Sequence, residues 1–243
     1  MEFLEVHNLT KRFGGVAAVQ NISFCVKKAE ILGLIGPNGA GKTTLINLIC
    51  GSLKRDAGKI YFKGEAIEGL SPYKIAQRRI GRTFQITKVF RKMTTLENMM
   101  VPATWLSGKF QDFVERAFKF LEFFELMDLK DELAGNLSGG QQKLLELARA
   151  SMMDPELLLL DEPFHGVHPT LKDKIIGYIK STNKSLGKTF IVSSHDIPSI
   201  MGLCERLIVM NVGYIIATGA PKDIRRDEKV HEVYLGERLE AGV

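Results

Sequence analysis

The octapeptide Gly36-Pro37-Asn38-Gly39-Ala40-Gly41-Lys42-Thr43 constrains this chain more than any other stretch. It is a complete G-x-x-x-x-G-K-T loop. Before it, Glu30-Ile31-Leu32-Gly33-Leu34-Ile35 is short and apolar and predicts a buried strand. After it, Thr43-Thr44-Leu45-Ile46-Asn47-Leu48-Ile49 predicts a helix. Strand, glycine-rich turn and helix start are the context in which such a loop cradles phosphates. The glycines let the backbone turn tightly and aim several N–H groups at one point. The helix N-terminus adds a field that favours anions. Lys42 has the reach for β- and γ-phosphate oxygens, and the Thr43 hydroxyl suits Mg²⁺. Gly36, Asn38, Gly39, Gly41 and Thr44 complete the candidate nucleotide-binding set. A glycine-rich turn carrying Lys-Thr by chance would not need these flanks.

A second run, Leu157-Leu158-Leu159-Leu160-Asp161-Glu162, predicts a central parallel strand, because unbroken hydrophobicity means burial on both faces. Two acids at the end of such a strand are costly without a task. Asp161 is placed to hold Mg²⁺ through a water, and Glu162 to polarise an attacking water as general base. A third run, Lys188-Thr189-Phe190-Ile191-Val192-Ser193-Ser194, ends in His195. A histidine after a strand is commonly a partly buried, hydrogen-bonded one. Strand ends of one parallel sheet converge on a ligand crevice, which favours a γ-phosphate contact for His195. Gln85 follows Ile80-Gly81-Arg82-Thr83-Phe84, again at a strand end, where an uncharged amide can touch Mg²⁺ or water reversibly.

Between these elements lies Leu137-Ser138-Gly139-Gly140-Gln141. Taken alone, Ser138-Gly139-Gly140 reads as a helix N-cap and loop, opening a helix over 141–151. With Gly36–Thr43, Gln85, Asp161-Glu162 and His195 in this order, the whole chain resembles the ATP-binding subunits of ABC transporters. Leu137–Gln141 looks like the signature sequence of that family. The resemblance implies a P-loop NTPase cassette of the α/β class, with a mixed β core and an inserted helical subdomain over about 86–153 of a single 1–243 domain. It implies ATP and Mg²⁺ as cofactors and a homodimer, or a heterodimer with a second ABC ATPase, that sandwiches two ATP molecules. Ser138 and Gly140 of one subunit would then meet the γ-phosphate held by Lys42 of the other. It also implies that Phe13, just before the Gly14-Gly15 turn, stacks on adenine; a core aromatic is the plainer reading of Phe13.

Gly81-Arg82-Thr83-Phe84-Gln85, then Val89-Phe90-Arg91-Lys92-Met93-Thr94-Thr95-Leu96-Glu97-Asn98, is similar to the Liv-type branched-chain amino acid importers. So is the tail, Gly219-Ala220-Pro221-Lys222-Asp223-Ile224 with Val233-Tyr234-Leu235-Gly236. ATPases of lipopolysaccharide export and urea uptake look alike in both places. One departure stands out. The family usually runs from its catalytic Glu to a Gly-Leu-Asp-Pro-like loop, whereas this chain has Gly166-Val167-His168-Pro169. His168 can still hydrogen-bond across a dimer, with a charge that varies near neutral pH. His165 and His168, with no cysteine nearby, argue against a metal pair.

The remaining features narrow the reading. The chain has 243 residues, enough for one large α/β domain. Its net charge of +5 suits an anionic nucleotide or a membrane face, and no interleaved aromatic and basic patch points to nucleic acid. Cys25, Cys50 and Cys204 are dispersed in apolar surroundings, which predicts reduced core thiols and a cytosolic compartment. No stretch approaches the roughly 20 apolar residues of a membrane span, and the start lacks a signal segment. The expected location is peripheral, on the cytoplasmic face of the inner or plasma membrane, beside integral-membrane permease subunits. Val89, Phe90 and Met93, among Lys88, Arg91 and Lys92, are candidate docking residues for a permease helix, or else subdomain core. Ser71-Pro72 predicts a capped helix start. Phe110, Phe113, Val114, Ala117, Phe118, Leu121 and Phe124 recur at helical spacing and predict a packing face. A non-transport cassette, as in Fe–S cluster assembly, is the reading from another class. A P-loop kinase would have no use for Leu137–Gln141.

Overall fold

The computed structural model describes residues 2–105 and 108–234. The chain opens with a hairpin of β1 (Leu4–Phe13) and β2 (Val16–Val26), then β3 (Ile31–Ile35) and α1 (Lys42–Ile49). β4 (Ala57–Phe62), β5 (Glu65–Ala66), α2 (Pro72–Gln77) and β6 (Ile80–Arg82) follow. Next comes a helical stretch: α3 (Thr95–Met100), a 3₁₀ turn (Val101–Trp105), α4 (Phe110–Phe123), a second turn (Met127–Leu129) and α5 (Gly139–Ser151). The last third alternates: β7 (Leu157–Asp161), α6 (Pro169–Leu186), β8 (Thr189–Ser193), α7 (Ile197–Leu203), β9 (Arg206–Asn211) and β10 (Tyr214–Gly219). Two short helices, α8 (Pro221–Ile224) and α9 (Glu228–Tyr234), end the described chain.

Among the described residues the strands form two sheets. One is antiparallel, in the order β2-β1-β4-β5; the other runs β10-β9-β3-β8-β7-β6. In the second sheet β9, β3, β8, β7 and β6 are mutually parallel and β10 is antiparallel. This is the mixed α/β architecture expected.

The unbroken apolar runs are explained by two cores on opposite faces of the second sheet. Ile31 and Ile35 of β3, Leu158 and Leu160 of β7, and Phe190 and Val192 of β8 point into the core shared with α4, α5 and α6. Their neighbours Leu32, Leu34, Leu157, Leu159 and Ile191 point into the core shared with α1 and the antiparallel sheet. Strand side chains alternate between faces, so both parities must be apolar when both faces are covered.

Four local expectations need correction. In α4, Phe113, Ala117 and Leu121 are buried, with Phe124 beyond its end, but Phe110 is 71 % exposed because it opens the helix beyond the reach of the core. Ser71 precedes α2 without a side-chain capping bond. α5 starts at Gly139 rather than 141, because Ser138 itself is the cap. Cys50 and Cys204 are buried thiols, whereas Cys25 on β2 is only half-buried. In the tail, α8 matches Pro221–Ile224, while Leu235 and Gly236 lie outside the described residues. No helix among the described residues is long and apolar enough to cross a membrane.

Candidate active site

The ends of β3, β8 and β7 lie side by side: Leu34 pairs with Ser193, and Ser193 with Asp161. The glycine loop leaves β3 at this edge. Gly41 has φ +104°, and a Cβ there would lie 2.2 Å from the Ala18 carbonyl oxygen of β2. A Cβ at Gly36 would lie 2.3 Å from the Met210 carbonyl oxygen of β9. The loop is thus wedged between the two sheets, and glycine is required for close approach as much as for turning. Gly41 is also the N-cap of α1 and offers no side-chain cap, so the first-turn N–H groups remain suited to an anion.

Lys42 is buried, and its ammonium donates to the carbonyls of Gly36 (2.6 Å) and Pro37 (3.2 Å). It lies 3.8 Å from Glu162 Oε1. Thr43 Oγ1 donates to Asp161 Oδ1 at 3.2 Å, and Ser193 Oγ donates to the same oxygen at 2.7 Å. Asp161 Oδ2 is buried with no hydrogen-bond partner. Burial pushes the Asp161 carboxyl above its ordinary range, opposed by the bonds from Ser193 and Thr43. A buried carboxylate with one oxygen bonded to hydroxyls and the other unpartnered is the donor set a hard divalent cation fits.

Glu162 is buried in the left-handed region at φ +51°, uncommon for a residue with a side chain. Its N–H is held by Ser193, through the carbonyl at 3.0 Å and Oγ at 3.2 Å. Glu162 Oε2 lies 2.8 Å from His195 Nδ1 and accepts the His195 N–H at 3.2 Å. The carboxylate therefore sits between the Lys42 ammonium and the His195 ring. That ring is 44 % exposed and meets His165 edge to face, with centroids 5.2 Å apart.

A cavity of about 340 Å³ is lined by Asn38, Gly39, Gly41, Lys42, Thr43, Thr44, Gln85 and Glu162, with Ala18 and Ala40. Phe13 does not line it; the ring is 49 % exposed at the end of β1, with the Lys11 ammonium 5.5 Å from its centroid. That exposure removes the core-aromatic reading. Ser138 and Gly140 do not line it either. Ser138 Oγ accepts the Gln141 N–H at 3.3 Å and the Gln141 side chain accepts the Ser138 N–H at 2.9 Å, a reciprocal cap. His168 caps α6, accepting the Thr170 N–H at 3.4 Å.

Three residues with no assigned role in the sequence bear on this site. Ser193 bridges Asp161 and Glu162. Lys143 of α5, buried, donates to the carbonyls of Glu162 (2.8 Å) and His165 (3.2 Å). Burial lowers the Lys143 pKa below its ordinary value, against the pull of Glu146, Glu162 and Asp161. Glu146, one turn further along, faces the segment that carries Gln85. Only a hydroxyl at the end of an apolar strand could have singled out Ser193. Lys143 and Glu146 sit in a helix whose sequence reads as ordinary and amphipathic.

A second, larger groove of about 710 Å³ lies beside Gln85, lined by Ile75, Arg82, Phe84, Phe90, Pro102 and Arg149 among others. Phe90 is 47 % exposed there, and the Arg149 guanidinium lies 4.9 Å from its ring centroid. Val89 instead is partly buried and packs against the core that α4 and α5 share with the second sheet. Met93 does not line the groove.

Residues 19–165 match the family model described as ABC transporter, and residues 215–240 the one described as branched-chain amino acid ATP-binding cassette transporter. The chain is 40 % identical to the probable branched-chain amino acid transport ATP-binding protein LivG of Archaeoglobus fulgidus, over 100 % of both chains. It is 38 % identical to the lipopolysaccharide export system ATP-binding protein LptB of Haemophilus influenzae, over 98 % of this chain and 99 % of that one. Among solved structures it is similar to a nucleotide-free ATP-binding cassette from an ABC transporter: TM-score 0.87, 37 % identity, 98 % of this chain and 100 % of that one. It is also similar to a dimeric post-hydrolysis cassette bound to ADP and Pi: TM-score 0.83, 27 % identity, 90 % of this chain and 98 % of that one.

Proposed function

This chain belongs to the ABC transporter family of ATP-binding subunits, and from that premise we propose that it powers import of branched-chain or other hydrophobic amino acids. It is the ATPase of a transporter. The observation that carries the catalytic reading is the buried Glu162 carboxylate held between Lys42 and His195, beside Asp161. In this reading Lys42 and the loop N–H groups bind the phosphates, with Gly36, Asn38, Gly39, Gly41 and Thr44 shaping the cradle. Glu162 takes the proton of the attacking water, and His195 orients that carboxylate and meets the γ-phosphate. Thr43, Asp161 and Gln85 would hold Mg²⁺, which when bound neutralises charge on the phosphate oxygens. Phe13, exposed at the rim, stacks on adenine.

Ser138 and Gly140 act on the second ATP of a dimer, whose other half is a copy of this chain or a second ABC ATPase. The same-chain cavity excludes both residues, which is the arrangement a site completed in trans requires. The groove around Phe84 and Phe90 receives a permease helix at the cytoplasmic face of the inner or plasma membrane. A shift of Gln85 on nucleotide binding would then move the helical region over about 86–153 as a unit.

The amino-acid reading rests on the model matched by residues 215–240 and on the name of a relative at 40 % identity; the second reading, lipopolysaccharide export, rests on a relative at 38 %. Co-reconstitution with candidate permease subunits of the branched-chain amino acid type separates them. The expected outcome is ATP-driven accumulation of leucine in vesicles, abolished by Glu162→Gln. ATP hydrolysis stimulated by lipopolysaccharide, without amino-acid uptake, would replace the first reading with the second.

A further inference from the structure

α5 is the helix that begins at the Ser138 cap, and its buried face carries charge. Glu146 is 2 % exposed, a position where an apolar side chain would pack at far lower cost. Both of its carboxylate oxygens take backbone N–H groups of one loop. Oε2 accepts from Phe84 at 3.4 Å and Oε1 from Lys88 at 2.8 Å. Gln85 lies between those two anchor points.

The same helix holds the loop a second time. Arg149, three residues on, donates to the Lys88 carbonyl and, at 3.2 Å, to Asn98 Oδ1. Asn98, fully buried, accepts the Phe90 N–H at 2.9 Å and donates to the Phe90 carbonyl at 3.0 Å. The backbone is thus tied at 84, 88 and 90, while Gln85 and Ile86 between the ties are exposed and Gln85 reaches the nucleotide cavity. Burial pushes the Glu146 carboxyl up, and the two N–H bonds oppose that shift. Arg149 and Lys143 are the charged groups facing it from its own helix.

We infer that Glu146 is a positioning residue for Gln85: its carboxylate brackets the loop and holds the Gln85 amide where the metal side of the nucleotide cavity is. This deepens the proposed function and rests on Gln85 acting at the metal. A carboxylate is the one side chain that can accept from both amides at once. Glutamine at 146 offers one carbonyl oxygen and turns an NH₂ donor toward the other amide. Because Glu146 also belongs to the helix started by Ser138, the loop that reads one nucleotide is fixed to the element that presents Ser138 to the other.

The readout is binding rather than turnover: the Kd of trinitrophenyl-ATP for the purified chain with EDTA, divided by its Kd with Mg²⁺. This ratio isolates the metal's contribution. Gln85→Ala is expected to lower it. Glu146→Gln is expected to reproduce most of that fall while leaving the EDTA Kd unchanged, and the double variant is expected to fall no further, since two residues acting through one contact are not additive. A merely structural role would weaken both Kd values together and add to Gln85→Ala. Glu146→Asp, which keeps the charge but shortens the reach, carries the same expectation if Glu146→Gln does not fold. A wild-type ratio in the folded Glu146 variant, or additive effects in the double variant, overturns the assignment alone. No effect of Gln85→Ala overturns the metal reading of Gln85 and the positioning role with it.

Discussion

Ser193→Ala is the sharpest probe of how the sheet edge holds its acids. The substitution removes one oxygen and leaves the strand intact. It deletes the 2.7 Å bond to Asp161 Oδ1, while the Glu162 N–H keeps the Ser193 carbonyl at 3.0 Å. A hydrogen bond to a charged group contributes about 1.5–3 kcal/mol. Asp161 is raised by burial, so the folded chain loses stability as pH rises from the ordinary carboxylate range through the raised value, where Asp161 must ionise. Without the Ser193 hydroxyl, which holds the carboxyl down against burial, the Asp161 carboxyl moves up further. The variant should therefore melt lower than wild type by about 3–12 °C at pH near 8, using about 2–4 °C per kcal/mol for a chain this size. The gap should shrink as pH falls toward the ordinary carboxylate range, because the raised Asp161 carboxyl takes up its proton in both folded proteins. Mg²⁺ with ATP should narrow the alkaline gap, because positive charge favours the ionised form. Thermal melts by circular dichroism across pH test this. An equal drop at both ends of the range would refute the charge-assisted bond and, with it, the account of Asp161.

Two further outcomes are expected. Mixing Ser138→Ala with Lys42→Ala chains should restore one competent site per dimer, read as recovered ATP hydrolysis after heterodimer formation is verified by mass; no recovery would leave Ser138 as a helix cap only. Lys143→Met keeps an unbranched side chain, one atom shorter and without the ammonium, and releases the carbonyls of Glu162 and His165, so turnover should fall about 10–100-fold, in the range typical of groups that orient catalytic ligands, with little change in ATP affinity in EDTA; unchanged turnover in a folded variant would remove Lys143 from the site.

The strands that build the site were legible because each is apolar on both parities and each ends in polar residues at the same edge. Asp161, Glu162 and His195 follow from those strand ends, Lys42 and Thr43 from the glycine-rich octapeptide after β3, and the structure brings Lys42 near Glu162, Thr43 to Asp161 and His195 to Glu162. Gln85 was the weakest of the strand-end signals, yet it lines the same cavity. Lys143 and Glu146 were not legible, for a physical reason. A charged residue in a helix is ordinarily solvated, and only the positions of carbonyls at 162 and 165, or amides at 84 and 88, reveal that these two are buried. The exposure of Phe110 likewise depends on where the core ends, which helical spacing cannot give. Ser138 and Gly140 were named by resemblance alone; within this chain Ser138 is seen as the reciprocal cap of α5.

The order of strands in the second sheet has a consequence for how the chain is born. β3 leads directly into the phosphate loop and leaves the ribosome early, yet its two neighbours are β8 and β9. Neither exists until the chain has been extended past Ser193 and Asn211. At about 5–20 residues per second, the nucleotide loop waits on the order of ten to thirty seconds for the strands that support it. During that interval an apolar strand with two open edges must be shielded from other chains. Maturation of the loop is therefore a late event in synthesis, and a nascent chain halted within α6 should be unable to retain ATP although every residue of the loop is already present.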